Sequence, residues 1–331
     1  MGGRTGAELD LLGIGNAIVD VLAHADEAFL EAHGLPKGAM TLVDADRADR
    51  LYDAMGPGVE VSGGSCANTV AGAASLGSAV AYVGKVRDDQ LGRIFAHDIR
   101  AAGVAFDTPP APDGPGTARC LVLVTPDAQR TMCTYLGACV ELGPEDVDPG
   151  LVARAAVTYL EGYLWDPPRA KEAFRKAMAA ARAAGRRVAL TLSDPFCVER
   201  HRDEFRHLVD HEVDVLFANE HELVALYEAA SLEEAIAAVR GRCELAAVTR
   251  SAQGSLVVAG DEVHEVAAAA VERVVDTTGA GDLYAAGFIH GLTHGMDPAA
   301  CARLGSLAAA EVIAHVGARP ERPLRELVAA V

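Results

Sequence analysis

Short apolar runs alternate with helical stretches along most of this chain, and this alternation restricts its fold more than any other feature. The apolar runs predicted to be buried strands are residues 11–16, 79–83, 156–161, 187–192, 213–217 and 245–249. Alanine-rich segments of helical periodicity, such as residues 169–185, lie between several of them. The alternation predicts an α/β fold whose mostly parallel sheet is covered by helices on both faces. Ligands of such sheets bind at the carboxyl ends of the strands.

Two segments, at about residues 21–61 and 107–136, interrupt the alternation. The first is rich in Gly, Pro and Asp, and the second places a Pro- and Gly-rich stretch before a strand-like run at residues 118–124. They are either ordinary surface loops or a small β-rich lid inserted into one domain that spans residues 1–331. Later in the chain, residues 255–266 are predicted to form a hairpin that turns near Gly260.

The composition excludes several classes of function. The net charge is −18, from 29 basic and 47 acidic residues, and such a surface disfavours nucleic acid and anionic membranes. The seven cysteines are odd in number and widely spaced, which argues against a disulfide framework or a zinc site. Residues 1–10 lack the apolar stretch of a signal peptide, and no run approaches the roughly 20 apolar residues of a membrane span. We expect a cytoplasmic protein with small-molecule partners.

Two familiar nucleotide-binding motifs are incomplete. The run G-I-G-N-A-I at residues 13–18 begins like a dinucleotide fingerprint, but Ile18 stands where the third glycine is needed for close helix–strand packing. Gly84 and Lys85 are followed by Val86, which cannot hold Mg²⁺ as the Ser or Thr of a P-loop does. Phosphate must therefore be bound in another way.

The segment at residues 276–288 carries the strongest chemical signal. Gly279, Ala280 and Gly281 have little or no side chain, so their backbone N–H groups can approach an anion closely. A helix N-terminus directly after them adds positive charge, which suits a phosphoryl group in transfer. Asp282 would lie in the first turn, within reach of an incoming hydroxyl. The alternative is a glycine turn in which Asp282 only complements the helix dipole.

This segment, D-T-T-G-A-G-D-x-x-x-A-G-F, resembles the C-terminal signature of the ribokinase-like (PfkB) carbohydrate kinases. Residues 63–71, G-G-S-C-A-N-T-V-A, followed by L-G at 76–77 and V-G-K-V-R-D-D at 83–89, resemble the N-terminal signature of the same family. The two stand in the expected order, and the resemblance extends from Leu11 to about Ala318. The chain is identified as a member of this family, which implies ATP as phosphate donor and Mg²⁺ as cofactor.

The resemblance assigns the chemistry to four residues. The amides of Gly279, Ala280 and Gly281 would hold the phosphate being transferred, and Asp282 would be the catalytic base. Asp276, Thr278 and Gly317 fall where many members bind a monovalent cation such as K⁺, and the sequence leaves open whether this chain requires one.

The resemblance also marks the nucleotide side of the site. Asn219 and Glu222 match an N-x-x-E element that helps to position Mg²⁺ and the phosphates. Without the family, Glu222 would be interpreted as part of a solvated helix face. Thr249, Arg250 and Gly254 match the loop at a strand end that lines the ATP site.

The acceptor side is marked by the first strand and the N-terminal signature. In relatives, an aspartate at the position of Asp20 accepts hydrogen bonds from two sugar hydroxyls, and a carboxylate suits a cis-diol because it has two oxygens. Asn16 belongs to the same G-x-G-N-x-x-x-D run. Gly63, Gly64 and Asn68 would line the same sugar. The alternative for Asp20 is a loop residue that caps a turn.

The two acceptor motifs resemble those of adenosine kinases more than those of ribokinases or fructokinases. Tyr163 lies where adenosine kinases carry an aromatic residue that stacks on the purine, although it is as readily a core tyrosine. Arg130 resembles a lid arginine that could reach the phosphates, and Leu136 and Ala138 would flank the base. Cys133 departs from the polar residue that relatives often have there, which leaves base selectivity open.

The sequence thus predicts an ATP-dependent nucleoside kinase that phosphorylates the 5′ hydroxyl, with adenosine favoured. One alternative is a sugar kinase whose acceptor is a ketose or an aldonate. Another is a relative without activity that only binds nucleoside or nucleotide, although an intact Asp282 argues against it. The chain could be a monomer or a homodimer.

Overall fold

Two β-sheets organise the residues that this computed structural model describes, namely 6–127 and 129–331. Residues 1–5 of the segment considered for a signal peptide and residue 128 of the second insertion lie outside the described residues. None of the helices in the described part of the chain combines the length and apolar character that a bilayer crossing requires.

The larger sheet has nine strands within the described residues, in the order β14-β13-β12-β11-β10-β9-β1-β5-β6. These strands are β1 (Leu9–Ile14), β5 (Val80–Val83), β6 (Ala105–Phe106), β9 (Ala155–Glu161), β10 (Arg187–Thr191), β11 (Val215–Asn219), β12 (Leu245–Thr249), β13 (Ser255–Ala259) and β14 (Glu262–Val266). Pairing is parallel from β6 through β12, and the hairpin β13–β14 adds two antiparallel strands. All six predicted strands and the predicted hairpin are present, with ends shifted by at most two residues.

Helices cover both faces of this sheet, which confirms the predicted fold class. They are α3 (Ser65–Leu76), α4 (Gln90–Ala101), α5 (Pro149–Arg154), α6 (Pro168–Ala183), α7 (Pro195–His211), α8 (Glu220–Tyr227), α9 (Leu232–Val239), α10 (Ala280–Thr293) and α11 (Pro298–Val312). Side chains alternate across the strands, so Leu11 joins the core beneath α3, α10 and α11, while Leu12 joins the core beneath α6 to α9. The predicted helix at residues 169–185 corresponds to α6, after which Gly185 adopts a left-handed conformation.

The smaller sheet draws its strands from the two segments that interrupt the alternation. Its order is β3-β8-β7-β2-β4. The strands and accompanying helices are β2 (Ile18–His24), α1 (Glu27–Ala32), β3 (Met40–Leu42), α2 (Ala45–Ala54), β4 (Gly58–Gly63), β7 (Ala118–Val124) and β8 (Arg130–Tyr135). The sequence did not predict α1 and α2, because their Asp-rich surroundings resemble loops. Asp26 and Asp44 are in fact the N-caps of these helices and accept from Phe29 N and Arg47 N.

Close packing of α3 against α10 brings the two signature segments together. Gly72 of α3 makes this possible, since a Cβ there would lie 2.5 Å from Leu283 Cδ1 of α10. Both helices begin at glycines with positive φ, Gly64 (97°) and Gly279 (78°). Their N-termini therefore open onto the same region, beside the carboxyl end of β1 and the start of the smaller sheet.

Candidate active site

Asp282 lies in the first turn of α10 and is held by two residues of the N-terminal signature. Its Oδ1 accepts a hydrogen bond from Ser65 Oγ at 2.6 Å, and its Oδ2 accepts one from Asn68 Nδ2 at 3.0 Å. The carboxylate is half-buried. Burial raises the pKa of Asp282, while the bonds from Ser65 and Asn68 and the charge of Arg319 oppose that rise. The result is an oriented carboxylate of increased basicity, as a general base requires.

The loop before Asp282 has the open backbone that an anion site needs. A Cβ on Gly279 would lie 2.8 Å from the Cβ of Ala318, so only glycine fits there without a shift. A Cβ on Gly281 would meet nothing within 4 Å, and this residue faces open space. The N–H of Ala280 donates to Thr277 O at 3.2 Å and so helps to shape the loop itself. Of the three residues predicted to hold phosphate, Gly281 is the most accessible.

Asp20 lies on β2 directly over Gly63, the last residue of β4, which Gly64 follows as the N-cap of α3. A Cβ on Gly63 would lie 2.3 Å from Asp20 Oδ2, and a Cβ on Gly64 would lie 2.3 Å from Asn16 O. Any larger residue at either position would displace these groups. Burial raises the pKa of Asp20 to about 7, and nearby Asp282 adds to the rise, whereas Arg319 and Arg130 lower it. Hydroxyl donors bound to Asp20 would favour its ionised form.

Asn16 is fixed by Glu161, a residue for which the sequence predicted no role. Asn16 Nδ2 donates to Glu161 Oε1 at 2.6 Å, and Asn16 N donates to Oε2 at 3.3 Å. Cys66 N, in the first turn of α3, donates to the same Oε2 at 2.9 Å. Glu161 is 1% exposed, and burial raises its pKa to about 7. Since the Nδ2 group of Asn16 is bound here, its Oδ1 is the atom left to accept from a ligand. The sequence feature that could have indicated this role is the position of Glu161, an acidic residue at the end of an apolar strand.

The three residues predicted to contact a purine differ from one another in their exposure to a ligand. Tyr163 is half-buried in the turn after β9, where its N–H donates to Ser193 Oγ at 3.1 Å and its hydroxyl donates to Ser193 O at 3.3 Å. Leu136 is half-buried and helps to line an apolar cavity of about 270 Å³ with Leu42 and others. Ala138 is fully buried, so the structure does not present it to a ligand.

Asn219 and Glu222 form a reciprocal cap at the start of α8. Glu222 N donates to Asn219 Oδ1 at 2.9 Å, and both carboxylate oxygens of Glu222 accept from Asn219, from N at 2.9 Å and from Nδ2 at 2.6 Å. Glu222 is 5% exposed, so it is not part of a solvated helix face, and burial raises its pKa to about 7. Its direct role is therefore to hold Asn219 at the carboxyl end of β11.

Thr249 ends β12, and Arg250 and Gly254 lie in the tight loop that follows it at the same edge of the sheet. Gly254 has a φ of 82°, and a Cβ there would lie 2.0 Å from Val266 O. Arg250 Nη2 donates to Gln253 O at 3.0 Å and to Glu265 Oε1 at 2.6 Å. The loop is thus held by its own contacts, and half-buried Thr249 is at the strand end.

Arg130 connects the smaller sheet to the loop of the C-terminal signature. Its Nη2 forms a buried ion pair with Asp276 Oδ2 at 2.6 Å. Asp276 also accepts from Thr278 N at 3.0 Å, Thr278 Oγ1 at 2.8 Å and Gly317 N at 2.9 Å. The structure therefore brings together the three residues predicted for a monovalent cation and adds a guanidinium to them. Among the described residues, no group of three or more His, Cys, Asp or Glu could hold a metal ion.

Arg319 is a further residue that the sequence did not single out. Its Nη2 donates to Ser62 O at 2.8 Å and to Ser62 Oγ at 3.0 Å, and its charge acts on both Asp20 and Asp282. Ser65 was visible in the N-terminal signature, but Arg319 follows the last residue of the recognised pattern and had no signal of its own.

Similarity to known proteins extends over nearly the whole chain. The pfkB family carbohydrate kinases match residues 42–325. The adenosine kinase of Sinorhizobium meliloti is 56% identical, with a TM-score of 0.92 over 98% of this chain and 99% of that chain. A probable sugar kinase protein from Rhizobium etli CFN 42 is 50% identical, with a TM-score of 0.92 over 98% of both chains. The adenosine kinase of Saccharomyces cerevisiae is 29% identical over 330 residues, which is 93% of this chain and 95% of the yeast protein.

Proposed function

This chain belongs to the pfkB family of carbohydrate kinases, and on that premise we propose that it transfers the γ-phosphate of ATP to the 5′ hydroxyl of a ribonucleoside, with adenosine as the preferred acceptor. The observation that carries the proposal is the position of Asp282, which is held by Ser65 and Asn68 at the N-terminus of α10. The 56% identity to an adenosine kinase supports the nucleoside as acceptor.

Asp282 takes the proton of the attacking hydroxyl. Each oxygen of its carboxylate accepts one hydrogen bond from the protein and retains a lone pair for that hydroxyl. Phosphoryl transfer asks the protein mainly for positioning and for stabilisation of charge. The backbone N–H groups and the positive end of α10 provide the charge stabilisation, and Asp20 and Asn16 hold the far side of the acceptor.

Mg²⁺ bound with ATP would neutralise charge on the phosphates, and Asn219 and Glu222 are the residues that would help to hold it. This assignment fits a site in which Glu222 is already bound to Asn219, because Mg²⁺ in kinases is carried largely by phosphates and water. A monovalent cation at Asp276, Thr278 and Gly317, and contacts of Thr249, Arg250 and Gly254 with ATP, are further parts of the proposal. Cytoplasmic location and a monomeric or dimeric state stay predictions from the sequence.

Tyr163, Leu136 and Ala138 are proposed to contact the base. Tyr163 and Leu136 have exposed surface for such a contact, whereas fully buried Ala138 would need the smaller sheet to shift. Arg130 is proposed to turn from Asp276 to the phosphates of bound ATP.

A sugar kinase is the second candidate, and the 50% identity to a probable sugar kinase favours it. A panel of nucleosides, ketoses, aldonates and ribose, with ATP turnover as the readout, separates the two. We expect adenosine to give the highest kcat/KM, and 5′-deoxyadenosine to bind without reacting because it lacks the nucleophile. A preference for fructose or ribose over every nucleoside would show that the protein is a sugar kinase. Binding of adenosine with no turnover of any acceptor would show that the protein binds nucleosides without catalysing transfer.

A further inference from the structure

Arg319 lies in the segment after α11 and is anchored to the base of the smaller sheet. Its Nη2 donates to the O and Oγ of Ser62, the residue before Gly63 in β4. Ser62 is itself fixed by Asp98 of α4, whose Oδ2 accepts from Ser62 N at 2.7 Å and from Ser62 Oγ at 2.6 Å. This chain of bonds gives the guanidinium one defined position next to the glycine pair over which Asp20 lies.

The other two nitrogens of the guanidinium have no hydrogen-bond partner in the part of the chain that the structure describes. Nε and Nη1 of Arg319 are buried, and neither donates a hydrogen bond to any of the residues that the structure describes. Buried donors in folded proteins are nearly always bonded, and a guanidinium has five N–H groups to satisfy. Two free nitrogens on a side chain whose third nitrogen is fixed indicate that a ligand supplies the missing acceptors.

The charges around Arg319 indicate which ligand. Asp98, Asp20 and Asp282 all act on it, in that order of strength, together with the hydroxyl of Tyr82. Within the described residues, the guanidinium of Arg319 hydrogen-bonds to Ser62 alone and to neither Asp20 nor Asp282. Asp20 lies beside Gly63 and Arg319 is bound to the adjacent Ser62, yet no hydrogen bond joins the two side chains. This separation suits a small polar group between them.

We propose that Arg319 is an acceptor-binding and specificity residue, which donates to the oxygens of the same diol whose hydroxyl protons Asp20 accepts. Each hydroxyl has one proton to donate and two lone pairs that can accept. An ionised carboxylate uses the proton only, so a donor on the other side completes the hydrogen bonding of the diol. The inference rests on the proposed kinase function but not on the nucleoside, because a sugar with a vicinal diol has the same chemistry.

A purely structural role for Arg319 makes different predictions. If it only tied the last segment of the chain to Ser62, its loss would lower stability and weaken the binding of all acceptors equally. If it binds the diol, its loss should weaken binding most for acceptors that carry both hydroxyls. The deoxy analogues of the acceptor therefore distinguish the two roles.

The test compares Arg319→Met, Arg319→Lys and the control Arg322→Met by calorimetric binding of adenosine, 2′-deoxyadenosine and 3′-deoxyadenosine to the full chain. Arg322 is close in sequence and its side chain is 65% exposed. We expect Arg319→Met to weaken the binding of adenosine about tenfold or more and the binding of the two deoxynucleosides clearly less. The KM for ATP should be unchanged. Arg319→Lys, which keeps the charge without the planar fork, should fall between wild type and Arg319→Met. Arg322→Met should behave as wild type.

Equal weakening of all three ligands, or wild-type affinity for adenosine, would overturn the proposal. If Arg319→Met does not fold, Arg319→Lys decides by the same comparison. A failure of the nucleoside assignment appears separately, in the wild type, as an absence of nucleoside turnover. The same variants are then compared with the preferred sugar and its deoxy analogues.

Discussion

Asn68 donates a hydrogen bond to Asp282 at 3.0 Å, although 214 residues separate them in the chain. Asn68 belongs to the signature that is proposed to line the acceptor, and Asp282 is the proposed catalytic base. Their contact means that these two parts of the proposed site cannot shift independently. A change in size or shape at either residue should therefore displace the other, so that acceptor binding and phosphoryl transfer would both be affected.

The substitution Asp282→Asn should keep the fold and acceptor affinity but lower kcat by about 10²–10⁴, because an amide cannot take the hydroxyl proton. Steady-state kinetics with adenosine and ATP measure this effect. Asp261→Asn, at the exposed turn of the hairpin β13–β14, is the matched control. A kcat for Asp282→Asn within about fivefold of wild type, roughly 1 kcal/mol in the barrier, would remove Asp282 from the role of base.

The substitution Asp20→Ala should raise the KM for the acceptor and reduce discrimination between adenosine and 2′-deoxyadenosine. In the wild type, loss of the 2′ hydroxyl leaves a carboxylate oxygen without its donor, so kcat/KM should fall about 5- to 150-fold. In Asp20→Ala no carboxylate remains to be left unpaired. Equal use of the two nucleosides by the wild type would show that Asp20 does not bind this hydroxyl.

Acceptor binding should slow hydrogen exchange in residues 21–61 and 107–136 if the smaller sheet acts as a lid. The ion pair between Arg130 and Asp276 joins the smaller sheet to the loop before α10 and so provides a contact that can hold the sheet in place. Closure would exclude water from the site, while β9 and β10 in the centre of the larger sheet should change little. Exchange measured by mass spectrometry with and without adenosine tests this prediction. Uniform protection, or none in these two segments, would mean that the sheet does not close.

The contribution of Asp20 to the free energy of unfolding should fall as pH rises from about 4 to about 7. Burial raises the pKa of Asp20 from 3.8 to about 7 in the folded state. The folded chain therefore retains a proton on Asp20 that the unfolded chain has released, and this group makes the fold less stable as pH rises over the interval. Glu161 and Glu222, with pKa values also raised to about 7, act in the same direction.

Urea unfolding of wild type and Asp20→Asn across this pH range measures the contribution of Asp20. The decline should be shallower in Asp20→Asn, since an amide does not titrate. Asp261→Asn changes the net charge by the same amount and should leave the decline unchanged, which controls for the acidic surface. Parallel pH profiles for wild type and Asp20→Asn would contradict a raised pKa at Asp20.

The larger sheet, the hairpin and the loop before Asp282 could all be predicted from local sequence patterns. Apolar runs such as Leu245–Thr249 mark buried strands because their side chains face core on both sides, and this property is local. The loop before Asp282 could also be predicted, because the small residues that an anion site needs are consecutive in the sequence. The helices α1 and α2 were not predicted, because Asp26 and Asp44 are as typical of loops as of N-caps.

The assembly of the candidate site depends on contacts between distant elements, which local patterns do not predict. Packing of α3 on α10 places Ser65 and Asn68 on Asp282, and no local pattern encodes a contact across more than 200 residues. The raised pKa values of Asp20, Glu161 and Glu222 depend on burial, which is set by every element packed around them. Arg319 belongs to no motif, and its relation to Asp20 exists only because the chain returns to the base of β4 after α11. Sequence periodicity specifies the conformation of each element, whereas the distances between elements follow from how their side chains pack.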